Sequence, residues 1–265
     1  MELAHTSIGL RTLAQMLEGA RSGLLEQETP ADHECNGGWR YNAHNQAYRC
    51  PHCEANRKLS MLRKAYQDAN LPATLFDPTW ETVKLEHPSW KQAHTYAENL
   101  GEALEMRINA LFIGPVGRGK SQACALLAKS ALEGGLSVVM TTVPRWVGEV
   151  LASYKSDDIT ENAMVAQLVK PDLLILDDVG AAETQNGALE ERLLTRVIGE
   201  RTDFGRITVI NSNLSQEEFK KSIGGRAWDR MEKSSITVIF NGPHYRATKD
   251  AARVQNFMAR IQAQS

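Results

Sequence analysis

The sequence predicts an α/β fold, a five-stranded parallel sheet flanked by helices and preceded by a small helical module. Five short apolar segments alternate with segments of helical character, which is the pattern of a parallel sheet. A glycine-rich loop joins the first strand to a helix, and the third strand ends in two acidic residues. The predicted strands are 110–113, 137–142, 172–178, 206–213 and 235–240.

Length and composition narrow the class of protein. The chain has 265 residues, enough for one medium domain and a smaller appendage. Its formal charge of −2 means that any contact with nucleic acid depends on local basic patches. We find no apolar run of about 18 residues and no secretory signal, so we expect no membrane partner and a cytoplasmic location.

The glycine-rich loop predicts a phosphate site. Residues 114–121 read GPVGRGKS and fit G-x-x-x-x-G-K-[ST] between a strand and a helix. Glycines let the backbone wrap an anion, whose charge then faces backbone N–H groups and the helix N-terminus. Lys120 is expected to reach the β- and γ-phosphates, and Ser121 to hold Mg²⁺. The predicted phosphate-contacting residues are Gly114, Pro115, Gly117, Arg118, Gly119, Lys120, Ser121 and Gln122.

The third strand supplies the acids that such a site needs. Residues 172–178 read DLLILDD, a buried strand of the Walker B type that ends in two carboxylates. We expect Asp177 to orient Mg²⁺, directly or through water. We expect Asp178 to polarise the attacking water as a general base. The position of this strand some fifty residues after the glycine-rich loop strengthens both assignments.

Three of the four cysteines lie close together and predict a zinc site. Cys50 and Cys53 form a C-x-x-C knuckle, and Cys35 lies upstream of Gly37 and Gly38. We predict that Cys35, Cys50 and Cys53 bind zinc with His33 as the fourth ligand. Four protein ligands would close the site, which favours a structural role. The alternative fourth ligands are Asp32, His44 and His52.

The positions of these motifs indicate the domain boundaries. We predict a helical and zinc-binding module over 1–71, a nucleotide-binding domain over 72–247 and a polar tail over 248–265. A connector containing Pro72, Phe76 and Trp80 leads into the larger domain. Helical character is found over 8–27, 54–70, 89–106, 121–133, 144–169 (in two segments), 183–203 and 216–223.

The order of motifs resembles the AAA+ ATPases of the DnaC type, the replicative helicase loaders of bacteria and phages. The resemblance spans roughly residues 30–247 and rests on the phosphate-binding loop, LLILDDVG, a strand ending in INSN, GGRAWDRM and VIFNGPHYR. The DRM and terminal YR sequences make it more specific than the loop alone. The IstB-type helper ATPases of transposition share nearly all of these motifs.

The resemblance implies roles for further residues. Asn213 resembles sensor 1, which positions the attacking water, and Asn211 is the second choice. Arg230 resembles an arginine finger that is supplied to the neighbouring subunit's γ-phosphate, with Arg226 as its alternative. Arg246 resembles sensor 2. The family usually has Glu where this chain has Asp178, and the shorter side chain suits a slow switch better than a motor.

The function that the resemblance implies is ATP-dependent loading of the hexameric replicative helicase onto single-stranded DNA. ATP, Mg²⁺ and Zn²⁺ are the expected cofactors. ATP would lie between subunits of a homo-oligomer, and the N-terminal module would hold the helicase. Two alternatives are a helper ATPase of DNA transposition and an ATP-gated adaptor with little turnover.

Overall fold

A computed structural model describes residues 35, 37–83, 86–155, 159–180 and 187–245, together with residues 255, 257, 258 and 261. The predicted helix over 8–27 therefore lies outside the described residues, as does most of the polar tail. The same is true of three predicted or alternative site residues, Asp32, His33 and Arg246.

A two-stranded antiparallel hairpin opens the described part of the chain. Strand β1 (Trp39–Tyr41) pairs with strand β2 (Ala47–Arg49), and the sequence analysis did not predict either strand. Helix α1 (Pro51–Asp68) follows directly, with a proline in its first turn, where a missing N–H costs nothing. A short 3₁₀ turn (Ala73–Leu75) then lies in the connector.

The central sheet confirms the predicted fold class. Its strands are β3 (Asn109–Ile113), β4 (Val138–Thr142), β5 (Leu173–Val179), β6 (Ile207–Ser212) and β7 (Ser235–Ile239). All four strand pairings are parallel, in the order β4-β5-β6-β3-β7. Because β3, β5 and β6 are adjacent, their carboxyl ends meet at one edge of the sheet.

Helices precede and connect these strands. They are α2 (Pro88–Glu98), α3 (Leu100–Met106), α4 (Lys120–Glu133), α5 (Val143–Ser153), α6 (Glu161–Val169), α7 (Gly187–Asp203), α8 (Gln216–Ile223) and α9 (Gly225–Glu232). The single helix predicted over 89–106 is in fact two helices, because Asn99 leaves helical geometry and its side-chain amide caps the Thr95 carbonyl. Within the described residues, no helix is long and apolar enough to cross a membrane.

Alternation along the buried strands divides the core into two layers. In β5, Leu173 and Ile175 face one layer, while Leu174 and Leu176 face the other. The first layer packs against α1, α2 and α4, and the second against α5 to α9. With both faces covered, the strands have the near-continuous apolar sequences typical of a buried parallel sheet.

The ladder between β5 and β6 is irregular where the acids stand. Leu176 pairs with Ile210, but the next pair joins Val179 to Ser212. Asp178 lies inside this irregularity and takes a φ of 55°, in the left-handed region. Such a backbone costs a non-glycine residue free energy and is found most often at functional sites. Asp178 thus departs from regular pairing at the end of the sheet, while Asp177 still pairs with Thr142 of β4.

Candidate functional site

The loop over Gly114–Ser121, here called the phosphate loop, lies between β3 and α4 as predicted. Gly119 caps α4 with a φ of 93°, and a Cβ at this position would overlap the Trp90 ring. A Cβ at Gly114 would overlap the backbone carbonyl of Phe240. Glycine is therefore required at both positions, by conformation at the first and by the close approach of a neighbouring backbone at the second.

Lys120 is the buried cation of this loop. Its side chain is nearly inaccessible to solvent. The ammonium group donates hydrogen bonds to the carbonyls of Gly114 and Pro115, at 2.7 and 3.0 Å, and to Asn213 Oδ1 at 2.6 Å. A buried ammonium needs such acceptors because desolvation alone would destabilise its charge. A phosphate oxygen in the loop would satisfy the same charge.

Ser121 and Asp177 form the pair expected at a magnesium site. Ser121 Oγ donates to Asp177 Oδ1 at 3.2 Å, and Asn211 Nδ2 donates to Ser121 Oγ at 3.2 Å. Asn211 Nδ2 also donates to Asp177 Oδ1. Burial, reinforced by the charge of Asp178, raises the pKa of Asp177, while the hydrogen bonds oppose this effect. Hydroxyl and carboxylate oxygens are hard ligands that suit Mg²⁺.

Asp178 and Asn213 extend this cluster towards solvent. Asn213 Nδ2 donates to Asp178 Oδ1 at 3.3 Å, while its carbonyl oxygen accepts from Lys120. One amide therefore touches both the cation of the phosphate loop and the second acid. Asn211 and Asn213, the two candidates for sensor 1, occupy different places: Asn211 lies at the magnesium pair and Asn213 at the candidate base.

A cavity of about 510 Å³ opens over these groups. Several of the predicted phosphate-contacting residues line this cavity. Gly114 and Pro115 instead accept hydrogen bonds from Lys120 through their carbonyls, and the Arg118 guanidinium donates to Gly242 O. The connector and Tyr245, whose N–H donates to Gly117 O, were not predicted from the sequence to contribute to this cavity. The lining residues are Pro72, Thr74, Leu75, Val116, Gly117, Gly119, Lys120, Ser121, Gln122, Asp178, Asn213 and Tyr245.

The candidate arginine fingers lie away from this cavity. Arg226 and Arg230 are on α9 and line a second cavity of about 500 Å³ with Thr195, Gly225 and Asp229. The Arg230 side chain is 43% exposed, and its guanidinium lies 3.9 Å from the Asp203 carboxylate. An ion pair this long and exposed contributes little to stability, so it leaves the guanidinium available to another group.

The cysteine cluster forms as predicted. The Sγ atoms of Cys35, Cys50 and Cys53 lie within 4.8 Å of one another, and those of Cys35 and Cys53 are 3.5 Å apart. Tetrahedral zinc with Zn–S bonds of about 2.3 Å needs sulfur atoms about 3.8 Å apart. The N–H of Cys53 lowers the pKa of Cys50, whereas the hydrogen bond with Cys35 raises the pKa of Cys53 to about 11. The fit of the three thiols to a zinc ion therefore rests on the spacing of the sulfur atoms.

The alternative histidine ligands do not join the cluster among the described residues. His52 Nε2 is hydrogen-bonded to Asn56 Nδ2 at 3.0 Å, and His44 lies exposed in the hairpin loop. The ligand-forming group consists of Cys35, Cys50 and Cys53 alone in the described ranges. His33 stays the predicted fourth ligand.

A comparison with protein families decides the relationship. The sequence model of the family described as "IstB-like ATP binding protein" matches residues 100–251, more than half of the chain. The chain belongs to this IstB-like ATP-binding family. The matched range contains the phosphate loop, both acids, Asn213 and Arg230.

Individual relatives of this IstB-like chain act in DNA replication. It is 24% identical to the replicative helicase loader DnaC of Escherichia coli K12 over 203 residues, covering 76% of this chain and 82% of DnaC. The crystal structure of the DnaC helicase loader matches 64% of this chain and 100% of that structure, with a TM-score of 0.56 and 14% identity. AMPPCP-bound DnaA from Aquifex aeolicus matches 68% of this chain and 55% of that structure, at a TM-score of 0.53 and 18% identity. These structures share the AAA+ fold, and the nucleotide-binding family agrees with the predicted phosphate site.

We predict that the purified protein carries about one zinc per chain, because three thiolates and one further ligand complete a closed site. Replacing either member of the knuckle, Cys50→Ser or Cys53→Ser, should release the metal and loosen the hairpin. Elemental analysis of protein prepared without chelator measures the zinc content. Cys124→Ala is the matched control, since Cys124 is buried in α4 outside the cluster. Metal-free wild-type protein would contradict the zinc assignment.

Proposed function

We propose that this chain is an ATP-dependent loader of the replicative helicase onto single-stranded DNA in the cytoplasm. The observation that carries the proposal is the joined site of Lys120, Asn213 and Asp178 above the Ser121–Asp177 pair. This site occurs in a chain similar to a replicative helicase loader over 82% of that loader's length. The joined site supports ATP hydrolysis. The similarity to a helicase loader supports the proposal that hydrolysis serves helicase loading.

Each residue of the candidate site has a separate role in ATP binding or hydrolysis. The N–H groups of the phosphate loop and Lys120 bind the β- and γ-phosphates, and the cavity beside Leu75 and Tyr245 has room for the nucleoside. Ser121 and Asp177 hold Mg²⁺, which supplies charge stabilisation to the phosphates when it is bound. Asp178 accepts a proton from the attacking water, and Asn213 fixes the position of that carboxylate.

Asn213 gives this site a way to sense its nucleotide. A γ-phosphate that takes over the Lys120 ammonium competes with Asn213 Oδ1 for the same donor. The amide is then free to turn with Asp178, to which its nitrogen already donates. Occupancy of the loop is thereby coupled to the position of the base. The short reach of Asp178 makes hydrolysis slow, which suits a timed release of the helicase.

The site is completed by a second subunit. Arg230 is exposed on α9 and does not line the cavity over its own phosphate loop. A planar guanidinium is well suited to the charge spread over a transferring phosphoryl group. We therefore assign Arg230 to the neighbour's γ-phosphate and the nucleotide to subunit interfaces. The module over 1–71 binds the partner, the domain over 72–247 turns over ATP, and the tail over 248–265 has no assigned role.

Loading itself can be measured directly. The protein with ATP should increase the amount of the host's replicative hexameric helicase bound to immobilised single-stranded DNA, and Lys120→Ala should not, because its phosphate loop lacks the cation. The readout is helicase retained on the DNA. The same protein on beads should capture that helicase from a host extract, as identified by mass spectrometry. Capture of a transposase with no helicase would overturn the loader proposal.

A mixture of two inactive variants tests the shared site. Arg230→Ala keeps its own phosphate loop but offers no finger, whereas Lys120→Ala binds ATP only weakly yet keeps Arg230. Mixing them should restore some ATP hydrolysis at interfaces that combine the intact loop with the intact arginine. Loss of a finger costs about 10³-fold or more in rate, so the recovery should stand above background.

Each variant alone is the matched control for that mixture. A mixture that stays inactive where the wild type assembles and turns over would remove the support for a finger in trans. Full activity of Arg230→Ala would assign the finger elsewhere, with Arg226 as the next candidate.

A further inference from the structure

The β1–β2 hairpin exposes more aromatic surface than its packing needs. Trp39 is 40% exposed, Tyr41 59% and Tyr48 42%. Several exposed aromatic rings in one short segment are typical of an interaction site. The hairpin, residues Trp39–Arg49, is here called the aromatic hairpin.

The strand register distributes these rings over both faces of the aromatic hairpin. Trp39 pairs with Arg49 across the ladder, and the Arg49 guanidinium lies 4.5 Å from the centre of the Trp39 ring. Tyr41 lies on the same face as Trp39, two residues along. Arg40 pairs with Tyr48 on the opposite face. Each face thus places an arginine beside an aromatic ring.

Charge sets this region apart from the rest of the chain. The aromatic hairpin contains no acidic residue. From Gly37 to Asp68, the end of α1, six basic residues stand against two acidic ones, a formal charge of +4, whereas the whole chain carries −2. The basic residues on α1 that are exposed are Arg57, Arg63 and Lys64. The local field therefore attracts a polyanion.

The composition of the aromatic hairpin favours nucleic acid over a protein partner. Trp, Tyr and Arg are also common at the core of protein interfaces, so the rings alone do not select the partner. Between Trp39 and Arg49 the chain has two arginines, no acidic residue and no aliphatic side chain larger than alanine, and this positive charge is what favours a polyanion. Aromatic rings and guanidinium planes both stack on unpaired bases, and arginine binds the phosphates between them. Duplex DNA hides its base faces and cannot use the rings in this way.

We propose that the aromatic hairpin is a binding site for single-stranded DNA, with Trp39 and Tyr41 stacking on bases and Arg49 contacting the backbone. This inference rests on the proposed function, in which single-stranded DNA is the substrate of loading. It adds a contact outside the ATPase domain. The aromatic hairpin contains none of the residues that line the nucleotide cavity, so this contact needs no nucleotide.

The cysteine cluster fixes the aromatic hairpin in place. Cys50 follows β2 directly, and its N–H donates to Gly38 O at 2.8 Å, closing the base of the hairpin. Gly38 in turn lies against the Cys53 side chain. A two-stranded hairpin alone is only marginally stable in water, so this anchorage is what gives the rings a defined orientation.

Binding of a fluorescent oligothymidylate of about 20 nucleotides, measured by anisotropy without ATP, tests the site. Trp39→Ala should weaken binding by about 5- to 100-fold, because one stacked base is lost, and Trp39→Phe should restore much of it. Arg49→Gln should lower the slope of log K against log salt by about 0.7, the value for one phosphate contact. Phe204→Ala is the matched control, because Phe204 is an exposed ring beside Arg206 in the turn after α7, outside the aromatic hairpin.

The outcomes separate this inference from the loader proposal. Zinc content and ATP hydrolysis should be unchanged in Trp39→Ala, which shows that the variant is folded. If Trp39→Ala and Arg49→Gln bind the oligothymidylate as tightly as the wild type does, the aromatic hairpin is not the binding site for single-stranded DNA. The loader proposal is not contradicted by that result. If these variants keep the oligothymidylate but lose the helicase, the hairpin serves the protein partner and the inference is overturned. If wild-type protein binds duplex as tightly as oligothymidylate, stacking on unpaired bases is overturned.

Discussion

The candidate site depends on the buried positive charge of Lys120. The Lys120 ammonium is removed from water at the start of α4, and it persists there because oxygen atoms from the phosphate loop and from the end of β6 accept its hydrogen bonds. A buried charge is tolerated only when it is paired in this way. The position of Asn213 is therefore fixed by the same interaction that prepares the loop for phosphate. Through Asn213 the charge also reaches Asp178, so hydrogen bonds link the phosphate loop to the candidate base.

The topology of the sheet is what allows that linkage. The strands that carry the loop, the acids and the asparagines are separated in sequence but adjacent in space, since β6 lies between β5 and β3. The irregular register of β5 and β6 and the left-handed backbone of Asp178 then direct two consecutive carboxylates to different hydrogen-bond partners. Asp177 turns to Ser121, while Asp178 turns to Asn213. A regular strand would have placed the two carboxylates on opposite faces.

Much of this arrangement could be predicted because its signals are local. Strand–loop–helix order, an apolar strand ending in acids and a C-x-x-C knuckle are patterns within a few residues. The sheet confirms the first two, and the thiols of the knuckle lie beside Cys35, while their zinc stays a prediction. The cavity's contacts with Leu75 and Tyr245 were missed because they join segments far apart in sequence. The aromatic hairpin was missed because its strands have three residues each, too short for a period of two to show. The break at Asn99 was missed because an asparagine within a helical pattern is a weak signal until its cap is seen.

The most direct test of this account is calorimetric titration of the wild type and Lys120→Ala with ATP and Mg²⁺. If the buried ammonium is the phosphate ligand, the variant should lose at least about 10-fold in affinity, since hydrogen bonds to charged groups contribute about 1.5–3 kcal/mol. The variant should stay folded, and Lys91→Ala, which removes an exposed lysine from α2, should bind as the wild type does. Unchanged affinity in Lys120→Ala would contradict the assignment of the phosphate loop and, with it, the coupling through Asn213.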